Sequence, residues 1–335
     1  DKYGADAVRF GIMISSPAGN DLLFDEAGLE QGRNFNNKLW NALKLVRMWG
    51  DRLAPAGQKS SESDPGLFAV QWFDNRFNQA KSEINKLITD FKLSEALKNI
   101  YSLIWDDFCS WYLEWVKPEF GQALNPLFYE KTISFFEDLL LWLHPFMPFV
   151  TEEIYHLLRD RGEGDDLCIK QFAPETPFSA DVLETGDKLR LFLTVGREFR
   201  QQQQLKNSEP IARLFIPEEI FGKNRSLYAI ILKQLNSSKI EYLSGSIPNV
   251  PGIQVIPFQS FQLGFESPRH VDASRRKEEL EKELIYYNGF LDALNKKLTN
   301  ERFVKNAKPE VVDLEKKKKL DTEEKIAAIL LTLKA

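Results

Sequence analysis

Two clusters of cations in the last tenth of the chain have the spacing that phosphate chemistry asks for. Arg302, Lys305 and Lys308 follow one another with no acid between them, and Lys316, Lys317, Lys318 and Lys319 form an unbroken basic run. A cation set against a phosphate releases condensed counterion, so such clusters are what an electrostatic hold on a nucleic-acid backbone needs. A third set lies near the start: Arg33, Asn37, Asn41 and Lys44 recur at helical spacing. The amides offer both donor and acceptor, and the cations supply phosphate contacts. The plainer reading of each set is a solvated helix face, and composition alone favours it.

Groups suited to catalysis are sparse. His144, His156 and His270 have neither metal-like nor triad-like spacing. Cys109 and Cys168 stand far apart with no CxxC pair, so no metal site is expected. Asp106 and Asp107 are neighbours on a helical stretch and point apart, a poor acid/base pair. No Walker A, GxGxxG or GxSxG motif occurs. The expectation is therefore no catalytic residue and no cofactor in this chain.

Size and charge narrow the choice further. A length of 335 residues suggests two or three domains. A net charge of -5 excludes a generic nucleic-acid coat, so any such site is a local patch. Charge is segregated: residues 271–335 carry 15 Lys+Arg against 13 Asp+Glu, a net of +2, and the rest of the chain carries -7. With 43% hydrophobic residues a substantial core can form, which excludes global disorder. No run of about 18 apolar residues exists, so no membrane span is expected. The opening Asp1-Lys2-Tyr3-Gly4 is not a signal peptide and has no initiator Met, as in a piece of something longer. Low cysteine content fits a reducing, cytoplasmic setting.

The elements that must position these residues follow from periodicity. Residues 1–25 read as short and mixed, with loop chemistry at Ser16-Pro17-Ala18-Gly19-Asn20-Asp21. Over 27–50, Phe35, Leu39, Ala42, Val46 and Trp49 make one apolar stripe, with Arg33, Asn37, Asn41 and Lys44 on another face. Helices are predicted at 68–92, 94–117, 126–143 and 149–160, with Ser94 and Thr151 as N-caps. Trp105, Phe108, Tyr112 and Trp115 form an aromatic stripe whose spacing favours core over a base-stacking platform. After a Gly/Asp/Pro-rich stretch, a helix at 182–205 leads into β-like runs at Arg213–Ile216, Ile240–Leu243, Ile253–Phe258 and Phe261–Phe265, interrupted by a helix at 226–235. Arg197, Arg200 and Lys206 are a further basic possibility there. Leu280, Leu284, Tyr287, Leu291, Leu294 and Leu298 then form a coiled-coil seam. Val312, Lys319, Ile326 and Leu333, seven apart, continue it after a break, which predicts an antiparallel hairpin with arms of about 40–50 Å.

The words of the sequence resemble the valyl-tRNA synthetase family of class I enzymes. Residues 1–10, Ser16–Asp21, Phe24-Asp25-Glu26 and the stretch Arg33 to Ala42 look like the segment after that family's KMSKS loop and its following helix. Phe108–Glu114 with Lys117-Pro118, and His144–Glu153, are similar to the anticodon-binding bundle of the wider group. Asn300–Val304 and Pro309–Val312 resemble the tip of the valyl arm. The HIGH and KMSKS signatures and the editing domain are not in this chain.

The resemblance implies a mainly α protein in four segments. These are a junction at 1–26, an anticodon-binding helical bundle at 27–178, an α+β linker unit at 179–270 and a coiled-coil arm at 271–335. It implies a monomer that binds valine tRNA and no membrane. Arg33, Asn37, Asn41 and Lys44 would meet the tRNA from the bundle, and Arg302, Lys305, Lys308 and Lys316 to Lys319 from the arm. ATP and Mg would belong to the parent enzyme, which attaches valine to tRNA. The rival reading is a non-catalytic helical scaffold that binds protein partners through its coiled coil.

Overall fold

The computed structural model describes residues 2–16, 25–55, 57, 61–119, 121–222, 224–250, 252–266, 273–300 and 309–334. The chain divides into two compact units. One comprises Asp1–Arg190 with Arg225–Ile230, and the other Leu191–Asn224 with Ile231–Ala335.

The first unit is a helical bundle. Its helices are α1 (Ala5–Ile14), α2 (Glu26–Gly50), α3 (Pro65–Thr89), α4 (Leu93–Ser102), a π-helical stretch (Leu103–Tyr112), α5 (Leu113–Val116), α6 (Pro126–Leu143) and α7 (Pro148–Leu158). Local chemistry starts three of them. The side chains of Asp25, Asp64 and Asn125 accept the N–H of Ala27, Gly66 and Leu127 at 2.9, 3.0 and 2.9 Å. Pro65 and Pro126 take the first helical position, where the missing N–H costs nothing.

Two expected caps prove to do other work. Ser94 lies in the first turn of α4 and gives its hydroxyl to the Ile14 carbonyl at 2.8 Å, which ties α4 to the end of α1. Thr151 is buried within α7 and donates to the Met147 carbonyl at 2.8 Å. The cap of α7 comes from α1: the Asp6 carboxylate accepts the N–H of Phe149 at 3.3 Å and of Val150 at 2.6 Å. Arg9, one turn on, donates to the carbonyls of Pro145 and Phe146 at 2.9 and 3.1 Å.

The α1 helix was not evident from the short, mixed residues 1–25. It exists because α2 meets it backbone to backbone. A Cβ on Gly11 would lie 2.8 Å from the Leu29 nitrogen, and one on Gly32 would lie 2.8 Å from the Ala7 carbonyl oxygen. Glycines at 11, 28 and 32 make this approach possible, and burial of Ala7 and Phe10 stabilises it.

Aromatic rings fill the centre. Trp72 and Trp115 lie 4.6 Å apart, and Phe73 packs on Phe77, Phe108, Tyr112 and Phe135. Phe108, Tyr112 and Trp115 are fully buried, so most of the aromatic stripe is core. Its backbone departs from the predicted regular helix, because Leu103–Tyr112 winds as a π-helix. The wider turn also brings Asp107 and Cys109 inside. Buried Asp107 receives Arg76 Nε at 2.8 Å and Arg190 Nη1 at 3.0 Å. That pairing satisfies a charge otherwise costly to bury.

Helix α8 (Ala180–Gln202) runs from the first unit into the second. There a four-stranded sheet has the order β2-β1-β4-β3, with β1 (Arg213–Pro217), β2 (Ile240–Leu243), β3 (Ile253–Phe258) and β4 (Phe261–Glu266). β1 pairs parallel with β2 and antiparallel with β4, and β3 with β4 is a hairpin. A short helix α9 (Glu218–Phe221) and α10 (Arg225–Leu235) connect β1 to β2, the crossover that a parallel pair requires. Phe192 and Phe199 of α8 pack on Phe265 of the sheet.

Helices α11 (Ala273–Thr299) and α12 (Pro309–Lys334) pack on each other. They run antiparallel: Lys297 Nζ meets Glu315 Oε2 at 3.2 Å, and Lys325 lies over the Tyr287 ring at 5.3 Å. On α11 the inward positions are Leu284, Tyr287, Leu291, Leu294 and Leu298, as predicted, and Leu280 lies outside the residues whose side chains are described. On α12, Val312, Lys319, Ile326 and Leu333 alternate with Glu315, Thr322 and Ile329, which completes the three-four spacing. Glu315 and Thr322 are only 5% and 4% exposed. Among the described residues no helix is long and apolar enough to cross a membrane.

Candidate nucleic-acid interface

Helix α2 presents its polar face as its stripe demands. Phe35, Leu39, Ala42, Val46 and Trp49 are buried, whereas Asn37, Asn41 and Lys44 are exposed. Asn34 is exposed beside them. Arg33 is half-buried and held in place: it donates to Glu30 Oε1 at 2.9 Å and lies 5.8 Å from the centre of the Tyr3 ring. A guanidinium fixed in this way presents a plane rather than a mobile charge. Lys38, on the flank, lies over the Trp105 ring at 5.2 Å. The face therefore offers two free-standing amides between two cations, suited to unpaired bases and their phosphates.

Arg302, Lys305 and Lys308 lie outside the described residues. Lys316 to Lys319 start seven residues after Pro309, so they sit about 10 Å along α12. They point in different directions. Lys316 pairs with Asp313 at 3.3 Å, Lys318 with Glu315 at 3.0 Å and Lys319 with Glu323 at 3.7 Å. Lys317 borders a cleft of about 590 Å³ between α8, the β3–β4 turn, α11 and α12. Lys316 and Lys318 are 64% and 46% exposed, against 37% for Lys319. The exposed Lys316–Asp313 pair holds weakly, so Lys316 remains able to exchange a carboxylate for a phosphate, whereas Lys318 is paired with the buried Glu315.

Of the further basic possibility in the second unit, Arg200 is used internally. Arg200 is buried and donates to the carbonyls of Leu235 and Lys206 at 3.0 and 2.6 Å, which closes the connection between α8 and β1. Arg197 donates to Gln234 Oε1 at 3.0 Å. Arg197 and Lys206 are themselves exposed, so of the three only Arg200 is taken up inside the fold.

One cluster is invisible as a sequence motif. Glu152 and His156, four apart on α7, meet Asp166, and the three place ligand-type atoms within 4.8 Å of one another. Glu152 and His156 border a cleft of about 520 Å³ that also touches His144 and Cys168. Burial pushes His144 below its ordinary value, against the pull of Glu152 and Asp6.

The bundle is of the anticodon-binding class. Residues 70–216 match the family described as the anticodon-binding domain of tRNA ligase. Residues 271–335, the paired helices, match the valyl tRNA synthetase tRNA binding arm. The valine–tRNA ligase of Phocaeicola vulgatus is 37% identical over 98% of this chain. That of Christiangramia forsetii is 36% identical over 100%, and that of Chlorobaculum tepidum 27% over 95%. The chain belongs to the valyl-tRNA synthetase family and carries its anticodon-binding and arm segments. It spans only 36%, 37% and 37% of the length of those three relatives.

Proposed function

We propose that this chain is the tRNA-holding portion of a valine–tRNA ligase. The bundle takes the anticodon stem and loop of valine tRNA, and the arm takes its outer corner. One observation carries the reading: a single chain joins an anticodon-binding match at 70–216 to a valyl arm match at 271–335. On α2, Asn37 and Asn41 read splayed bases while Arg33 and Lys44 hold phosphate. On the arm, Arg302, Lys305, Lys308 and the lysines 316–319 supply sequence-blind attraction.

The ligase activity named for the relatives needs ATP and Mg to attach valine. We assign that step to the part of the relatives that this chain does not match. The 335-residue chain by itself then binds no such cofactor and activates no valine. It is a cytoplasmic monomer; the closure of the α11 seam on α12 supports this, because a seam used within one chain is not offered to a second.

The test is binding of labelled valine tRNA by the 335-residue chain, against the same tRNA with a swapped anticodon. Discrimination of about tenfold or more is expected, the scale of one or two base contacts. Asn37→Ala with Asn41→Ala should remove that discrimination and leave binding to both tRNAs. A tRNA-blind dimer by light scattering would instead establish the protein scaffold, and valine-dependent pyrophosphate exchange would overturn the assignment of catalysis.

A further inference from the structure

The first unit holds a set of metal-type donors that the RNA reading leaves unused. Glu152 and His156 share one face of α7 because residues four apart do. Across from them stands Asp166, in the segment that follows the helix. His156 Nε2 lies 3.3 Å from Glu152 Oε1 and 3.1 Å from Asp166 Oδ1. With zinc–ligand distances of about 2.0–2.2 Å, those two separations subtend angles of about 95–105° at a shared ion.

The surroundings are built to hold the donors still. Glu152 Oε1 accepts the Leu167 N–H at 2.7 Å and Oε2 accepts the Cys168 N–H at 3.2 Å. Hydrogen bonds of this kind orient a ligating carboxylate and leave it lone pairs for an ion. A second observation comes from His144. The Thr151 hydroxyl lies 2.8 Å from the Met147 carbonyl and 2.8 Å from His144 Nδ1, which fixes the ring. His144 Nε2 then stands 3.9 Å from Glu152 Oε2, so a second imidazole borders the same carboxylate.

We propose that Glu152, His156 and Asp166 form a zinc site, with water in the fourth position. An imidazole with two carboxylates suits zinc better than calcium or magnesium, which prefer all-oxygen shells. The ion staples the 166–168 segment to α7. This departs from the expectation of no metal, which rested on the absence of clustered Cys and His. It is independent of how the chain holds RNA.

The experiment is isothermal titration of the chelator-stripped 335-residue chain with zinc chloride at about pH 7.5, paired with thermal melting. One equivalent should bind and raise the melting temperature, as any ligand of the native state does. His156→Ala and Asp166→Asn should each weaken zinc by about tenfold or more, the scale of removing one ligand or ligand-orienting group. Their melts in chelator check that both variants fold. Cys168→Ser should bind as wild type. Cobalt should give the strong visible bands of a four-coordinate site, and His156→Ala should abolish them. No saturable binding up to about 100-fold excess zinc would overturn the proposal. So would equal affinity in the two folded ligand variants, or a loss confined to Cys168→Ser.

Discussion

The Asp6 carboxylate accepts the backbone N–H of Val150 at 2.6 Å, although the two residues are 144 positions apart. The same carboxylate takes the Phe149 N–H, so the first turn of α7 is capped by a side chain of α1. The arrangement places a negative charge at the positive end of the helix and satisfies buried donors. It also positions the corner from which the Glu152 and His156 face descends.

Asp6→Ala should therefore lower stability by about 1–3 kcal/mol, the cost of removing a cap and leaving a buried donor unpaired. The check is urea denaturation followed by far-UV circular dichroism, where the midpoint should fall and the slope stay constant. An unchanged midpoint would mean that water replaces the carboxylate at no cost.

Two glycine substitutions should act with opposite signs. At Gly32 a Cβ would sit 2.8 Å from the Ala7 carbonyl oxygen and 2.9 Å from its Cα, backbone atoms that cannot swing aside. Gly32→Ala should force α1 from α2 and cost about 1–3 kcal/mol, as overpacking does. At Gly289, within α11, a Cβ meets nothing within 4 Å. Gly289→Ala should stabilise by up to about 1 kcal/mol through helix propensity alone. Thermal melts of both variants decide it.

The arm should weaken in acid through one residue. Hydrogen bonds from Lys318 and Lys297 hold the Glu315 carboxyl below its ordinary value. A carboxylate depressed in the folded state contributes stability above its unfolded value and loses it as pH falls through the folded one. The pairing of α11 with α12 should thus loosen below about pH 4.5, and Glu315→Gln should flatten that limb. Amide exchange of α12 measured at about pH 7, 4 and 3 reports it directly.

Salt dependence separates the arm from the bundle. Arg302→Ala, Lys305→Ala and Lys308→Ala combined should weaken binding to any tRNA of similar shape. The log–log salt slope should fall by about 0.7–0.9 for each phosphate that is no longer neutralised. Discrimination between anticodons should survive, since phosphates carry no sequence. Lys316→Ala with Lys318→Ala should give a smaller change of the same kind, because both cations spend part of their time on Asp313 and Glu315. An unaltered slope in the triple variant would return the arm to a solvated surface.

Periodicity by itself determined most of the helices, the four strands of the sheet and the seam of the arm. An apolar stripe at a period of about 3.5 or 3.6 residues buries on one side wherever it folds, so Phe35 to Trp49 and Leu284 to Leu298 could be read without coordinates. The exposed set Asn37, Asn41 and Lys44 was legible for the same reason, as the complement of a stripe. What tertiary structure decided depends on partners distant in sequence. The α1 helix required the glycine-lined approach of α2, and a single Gly11 within residues 1–25 does not by itself signal that contact. Ser94 and Thr151 looked like caps by local rule, yet Asp6 took the cap of α7 because a carboxylate from another helix reached it first. Arg200 had the spacing of a phosphate ligand but was consumed by two carbonyls. Glu152, His156 and Asp166 became one cluster only when the segment after α7 turned back onto that helix. Local pattern sets which face of an element is apolar, and only packing sets which polar groups find each other, since hydrogen bonds between side chains act over about 3 Å and carry no periodic trace.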